Sequence, residues 1–491
     1  MRQGAADHKV ETLLSKVVAG GYCIGCGVCA AIRGSPLSID LDGFGCFRAT
    51  LTGAVAAHGS DTDILAVCPF SAQSQDEDEI GERLYGEEAR FDGRIGYYLS
   101  TYAGFVTERD FRERGGSGGM GKWILSKLLQ DGWVDAVIHI VQNIPSASDP
   151  LLYRYCLATS VDEVRKGSKS VYYPIEMSRV LRSVREHPGT YAVIGLPCFI
   201  KAIRLLSMQD PVFKERIRFC VGLICGHLKS AQYANMFAWQ IGIEPGNLVS
   251  IDFRKKIPSR PANEKGVEVL GFKNGEKVRA IGAVREFFGT DYNHGFLKYP
   301  ACDYCDDVVA ETADIAIGDA WLPAYLKDSG GTNVVIVRHP GIQAVLEREM
   351  SAAHLHLDRI GPSLIVKSQE AGFRHRREGL SYRLYLKDKS GAWRPPKRSE
   401  AQWTHIDEGR RRVYEFRMRM AEESREAFRE AMGNGRFSVF QERMETLLSQ
   451  YAELYRSAPP IRRMLRHVLE KPRALLRRLR VSRSNQVLGA F

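Results

Sequence analysis

Apolar and polar positions divide this chain into stretches of different texture. Residues 97–106 read as an extended run, a glycine loop follows, and apolar positions from Trp123 to Gln130 recur at helical spacing. Residues 133–140 (Trp-Val-Asp-Ala-Val-Ile-His-Ile) and 191–194 (Tyr-Ala-Val-Ile) are strand-like, and a helical pattern from Ile200 to Leu206 follows the second. Strand, loop and helix repeating in this way predict an α/β core. A further strand-rich part carries Cys302 and Cys305 and ends near Val337. Ahead of all this, residues 38–48 resemble a hairpin turning at Asp42-Gly43 in a Gly- and Cys-rich region.

The last hundred residues change character after Pro395-Pro396. Phe416, Met420, Phe428 and Met432, then Phe440, Met444, Leu447 and Tyr451, fall at helical spacing on either side of Gly433-Asn-Gly435. The predicted fold class is therefore α/β, mixed with α+β character, in four parts. Residues 1–92 form a ferredoxin-like module, 93–185 and 186–385 form the core, and 396–491 form a helical extension. No repeat of 20–50 residues is visible.

Length and charge alter this picture only locally. At 491 residues the chain is too long for one core, and domains of roughly 100–200 residues make it about three units. It opens without a basic head and apolar run, and no stretch nears the roughly 18 apolar residues of a membrane span, so a cytoplasmic protein is expected. The net charge of +11 concentrates late. Arg462, Arg463, Arg477, Arg478 and Arg480 alternate with Leu465, Val468, Leu469, Leu475, Leu476 and Leu479, and Pro472 interrupts them. That amphipathic, basic pattern suits a partner helix or an anionic membrane face, making the protein peripheral at the inner face, rather than nucleic acid.

Eleven cysteines in such a chain argue for metal or catalytic use over disulfides. Eight of them form two sets of four. Cys23, Cys26 and Cys29 stand in C-x-x-C-x-x-C, with Cys68-Pro69 far behind. Four soft thiolates at these spacings suit a [4Fe-4S] cubane, and glycines at 25 and 27 let backbone amides approach its sulfides. Structural zinc also takes four cysteines, although usually as paired knuckles. Cys46 could replace Cys68, but lacks the following proline; Cys46, Cys156 and Cys220 read as packed residues. The second set is Cys198, Cys225, Cys302 and Cys305. Its spacing alone does not choose between zinc, cluster and accident, though Cys198 and Cys225 each follow a strand-like segment.

In this order the landmarks resemble the beta-subunit family of coenzyme F-420-reducing hydrogenases and formate dehydrogenases, which includes 7-hydroxymethyl chlorophyll a reductase. They are Cys23-x-x-Cys26-Gly-x-Cys29, Ser117-Gly-Gly119, Gly167-Ser-Lys169, Gly195-Leu-Pro-Cys198, Gly222-Leu-Ile-Cys225, Cys302-x-x-Cys305-Asp306 and the run from Ala313 to Asp319. Together they span about residues 20–340. The resemblance implies FAD and a second [4Fe-4S] cluster on Cys198, Cys225, Cys302 and Cys305. Phe199, where the family often has Gln, and Met120-Gly-Lys122 depart from the pattern, and the extension after 395 lies outside it.

Gly116–Gly121 formally satisfies G-x-G-x-x-G, but polar residues 108–114 precede it instead of a strand and no acidic residue stands near Gln142, so it is no Rossmann fingerprint. A glycine loop opening a helix still offers amides and a positive dipole end to a pyrophosphate. Beside the family resemblance, Ser117, Gly118, Gly119 and Lys122 become candidates for flavin phosphates. Ser168 and Lys169 could hold flavin or substrate anionic groups, and Asp319 ends a predicted strand where a carboxylate would face a site. Arg254 and Lys255 would add positive charge, and His227 is a possible proton donor. The expected activity passes electrons between an external carrier (ferredoxin or a deazaflavin), two clusters, FAD and an unidentified substrate, with a link to polysaccharide biosynthesis. The alternative is a non-catalytic electron-transfer subunit that docks on a larger dehydrogenase through the helical extension.

Overall fold

The computed structural model describes residues 2–52 and 62–456; the basic tail of residues 461–483 lies outside them. Among the described residues, fifteen strands form four sheets. A hairpin of β1 (Leu37–Leu41) and β2 (Phe47–Leu51) turns where expected, with Asp42 Oδ1 accepting the Phe44 and Cys46 amides. A short hairpin, β3 (Arg90–Asp92) and β4 (Gly96–Tyr98), leads into the core.

The core is an eight-stranded sheet in the order β15-β5-β14-β13-β9-β8-β6-β7. Its strands are β5 (Ser100–Val106), β6 (Ala136–Gln142), β7 (Tyr153–Ala158), β8 (Tyr191–Gly195), β9 (Ile217–Leu223), β13 (Ile315–Asp319), β14 (Asn333–Val337) and β15 (Leu355–Arg359). Between β7 on one side and β14 on the other, β6, β8, β9 and β13 run parallel. Such strands are covered on both faces, which is why they read as largely apolar runs. Val137, Ala192, Phe219 and Ile315 pack on one face with Trp123 and Ile124, while Ile138, Val193, Cys220 and Ala316 face Ile200 and Ile203 on the other. The helices Met120–Gln130 and Pro197–Gln209 each start three residues before the predicted apolar stretch.

A separate antiparallel sheet, β10 (Leu248–Lys255), β11 (Gly266–Lys273) and β12 (Glu276–Ala283), stands beside the carboxyl edge of these strands. The extension after 395 is a hairpin of two helices, Glu408–Asn434 and Phe437–Arg456. Its apolar stripe is spent within the chain: Phe428, Phe440 and Met444 are fully buried, and Phe440 packs edge-on against Phe288 and Phe296. Gly433 and Asn434 stay helical, and Gly435 makes the turn. Lys397 and Arg398, just past the double proline, are buried against Asp306, Glu77 and Glu311, so this seam is a tie to the core. Among the described residues no helix is long and apolar enough to cross a membrane.

Candidate functional site

Cys198 and Cys225 leave the sheet from adjacent strands. β8 and β9 are parallel neighbours, so the residues following Gly195 and Leu223 emerge side by side at the carboxyl edge, where open α/β sheets bind ligands. Pro197 starts the helix that carries Cys198 in its first turn. Cys302, on the 3-10 turn Pro300–Tyr304, and Cys305 come in from the far side and complete a small cavity that all four thiols line. Burial, and after it the other three thiols, push the Cys198 thiol well above its ordinary value. The Leu228 amide donates to Cys302 Sγ at 3.2 Å.

The front set converges as well. Cys23, Cys26, Cys29 and Cys68 line one cavity between the hairpin and the first helices, and Cys46 does not. Cys46 is fully buried in the hairpin and Cys220 in the sheet, whereas Cys156 is only half-buried on the edge strand β7. Burial raises the Cys68 thiol to about 12. Among the described residues, no three cysteine sulfurs lie within 4.8 Å of one another. Four sulfurs around a single zinc ion at about 2.3 Å each would sit about 3.8 Å apart; ligands to separate corners of a larger cluster stand wider.

The two thiol sets are neighbours. Ile24 and Phe70 line both cavities, and Tyr155 feels both Cys26 and Cys198 electrostatically. Cys225 and Tyr155 also line a third space, a cavity of about 960 Å³ between the sheet edge, β10 and the end of the helical hairpin. Tyr172, Tyr233, Phe253 and Tyr292 give it aromatic sides. His227 stacks on Tyr292 at 3.8 Å with its Nε2 unpartnered, and burial holds its pKa well below the usual histidine range. Phe199, following Cys198, lies on the cavity's border.

The glycine loop borders a smaller cleft that shares Lys169, Ser170, Ile224, Arg254 and Asp319 with this cavity. Ser117, Gly119, Lys122, Ser168, Lys169 and Asp319 all line it, and Gly118 stands between two of them. Gly119 opens its helix at φ +91°, and a Cβ on Gly118 would meet Asn333 Oδ1 at 2.7 Å and the Gly104 carbonyl at 2.8 Å. The loop is thus pressed against the sheet, and Ser117 spends its hydroxyl on the Thr332 carbonyl at 2.9 Å. Lys122 donates to the Arg165 carbonyl at 3.2 Å, and burial with nearby Lys169 lowers its pKa to about 8. Lys169 pairs with Asp252 at 2.7 Å. Ser168 keeps a buried hydroxyl with no partner among the described residues.

Asp319 forms a buried pair with Arg254 at 2.6 Å, and Arg254 also donates to Tyr172 Oη and the Gly116 carbonyl, each at 3.2 Å. Lys255, expected beside it, points away and pairs with Glu268, because successive strand residues face opposite sides. Arg376 was not foreseen. Its guanidinium donates to Cys305 Sγ at 3.1 Å and to Cys225 Sγ at 3.6 Å, and no motif or spacing marks it.

Two sets of four cysteines thus stand next to each other, the second beside a cleft at the carboxyl edge of a parallel sheet. The family described as coenzyme F420 hydrogenase/dehydrogenase, beta subunit, matches in two parts: its N-terminal portion over residues 101–182 and its carboxyl-terminal portion over residues 189–363. Together these spans exceed half of the chain, which belongs to that family and so to the electron-transfer oxidoreductase subunits. A chain of the F420-reducing [NiFe] hydrogenase complex from Methanosarcina barkeri is similar at 16% identity, over 62% of this chain and 99% of its own, with a TM-score of 0.46. A search of curated proteins found no match.

Proposed function

We propose that the protein is a flavin- and iron–sulfur-dependent oxidoreductase, with one [4Fe-4S] cluster on Cys23, Cys26, Cys29 and Cys68, a second on Cys198, Cys225, Cys302 and Cys305, and FAD across the glycine cleft and the large cavity. One observation carries this reading: four cysteines from positions 198 to 305 meet in a cavity that shares Cys225 with the large aromatic-sided one. The donor set fits the clusters, since all eight ligands are soft thiols gathered four to a cavity. The cleft fits the flavin's anionic part, through Lys122, Lys169 and the unpartnered Ser168 hydroxyl. When bound, the flavin would exchange electrons singly with the clusters and in pairs with substrate.

The chain's own residues supply the rest. Ile24, Phe70 and Tyr155 keep water from between the thiol sets, and the Leu228 amide steadies Cys302. Arg254, fixed by Asp319, holds positive charge where the cleft meets the large cavity. Tyr172 and Tyr292 offer flat apolar faces to a ring system. The external carrier is a ferredoxin or a deazaflavin. Catalysis within this chain is favoured over a purely relaying role by the size of the cavity, which takes more than a flavin ring, and by the helical hairpin's apolar face being buried at home.

Iron, sulfide and flavin content after anaerobic purification tests this. About eight iron atoms and one FAD per chain are expected from two cubanes and one flavin. Zinc-loaded, colourless protein would overturn it.

A further inference from the structure

Arg376 lies beyond both family spans, yet its guanidinium is 2% exposed and stands among the thiols of the second set. Besides the two sulfurs, it donates to the carbonyls of Asp307 at 2.6 Å and of Gly226. Among the described residues its Nε has no partner. No carboxylate among the described residues forms an ion pair with it, although Asp307 acts on Cys225 and Cys305, and Asp306 on Cys305, from further off. The first set differs. Arg48, the cation that acts on Cys23, is paired with Asp42 at 2.5 Å, and Lys201, which acts on Cys68, is paired with Glu77 at 3.1 Å.

A buried cation acts strongly at short range, because little water screens it. It favours the more negative state of whatever the neighbouring thiolates hold, and charge and hydrogen bonds to sulfur are what set cluster potentials. We propose that Arg376 is the fixed counter-charge that lifts the reduction potential of the second thiolate site above that of the first. This rests on the cluster reading of both cysteine sets. It gives the relay a direction. An electron from an external one-electron donor passes from the first site to the second and on to the cavity. What one site loses the next gains, with no bond made and no proton moved between the two sets.

The test is a potentiometric titration of the anaerobically purified full chain, followed by electron paramagnetic resonance. Cys302→Ser abolishes the second signal and so assigns the pair. In the wild type the second signal develops at the higher potential. Arg376→Gln shifts its reduced-to-oxidised ratio at least tenfold toward oxidised, about 59 mV for one electron, and leaves the first signal in place; Arg376→Lys, which keeps the charge, retains most of the lift. A second midpoint at or below the first in the wild type overturns the proposal. So does an Arg376→Gln midpoint that stays put, or one that moves equally at both sites. Should Arg376→Gln lose its second cluster, the wild-type order of midpoints decides alone. Iron-free wild-type protein would instead remove the cluster reading beneath.

Discussion

Asp319→Ala leaves Arg254 buried without its carboxylate. The two side chains are 20% and 7% exposed and 2.6 Å apart. At an effective dielectric constant of about 20, charges about 4 Å apart attract by about 4 kcal/mol, and removing one partner of a buried pair costs about 3–5 kcal/mol. The guanidinium keeps Tyr172 Oη and the Gly116 carbonyl, so a loss of about 3 kcal/mol, at the low end of that range, is expected. Urea unfolding of wild type, Asp319→Ala, Arg254→Met and the double variant would measure it. The double variant should lose less than the sum of the singles by at least about 1 kcal/mol, since contacting residues couple. The freed Arg254 should also tighten the cleft's grip on inorganic pyrophosphate, read as quenching of Trp321, which lines the adjoining cavity. An Asp319→Ala loss within about 0.5 kcal/mol, the scale of a neutral surface change, together with unchanged pyrophosphate binding, would refute the reasoning.

Two further outcomes follow from particular side chains. Lys122 has a folded-state pKa lowered to about 8, so burial opposes its charge fully below pH 8 and progressively less up to its ordinary value of 10.5. Lys122→Met should therefore stabilise the protein at pH 7, and the gain should shrink between pH 8 and 10.5. Over the same range, pyrophosphate binding should weaken above about pH 8 in the wild type only. Phe440 is fully buried against Phe288, Phe296 and Phe428, and Phe440→Ala should cost about 3–5 kcal/mol in unfolding, a loss that no exposed residue of the same hairpin, such as Met432, should match.

Residue types and short spacings settled a good deal. The apolar runs 191–194 and 133–140 marked strands of an α/β core because strands covered on both faces need no polar alternation. Cys23, Cys26 and Cys29, and the pair Cys302 and Cys305, stood out by their spacing, whereas Cys198 and Cys225 joined a set only through the family resemblance. The hairpin at Asp42 was legible because its carboxylate caps its own turn, a local event. What the chain alone could not decide was whether Cys198 and Cys225 would meet Cys302 and Cys305. That depended on β8 and β9 pairing in parallel, and strand order is a matter of long-range packing. Lys255 turned out of the cleft for a similar reason, since register on β10 chose Arg254. Arg376 was invisible because a lone arginine on a helix is ordinarily solvated. Only the tertiary structure took it out of water and set it among sulfurs, and a charge matters by its distance in space, which sequence separation does not measure.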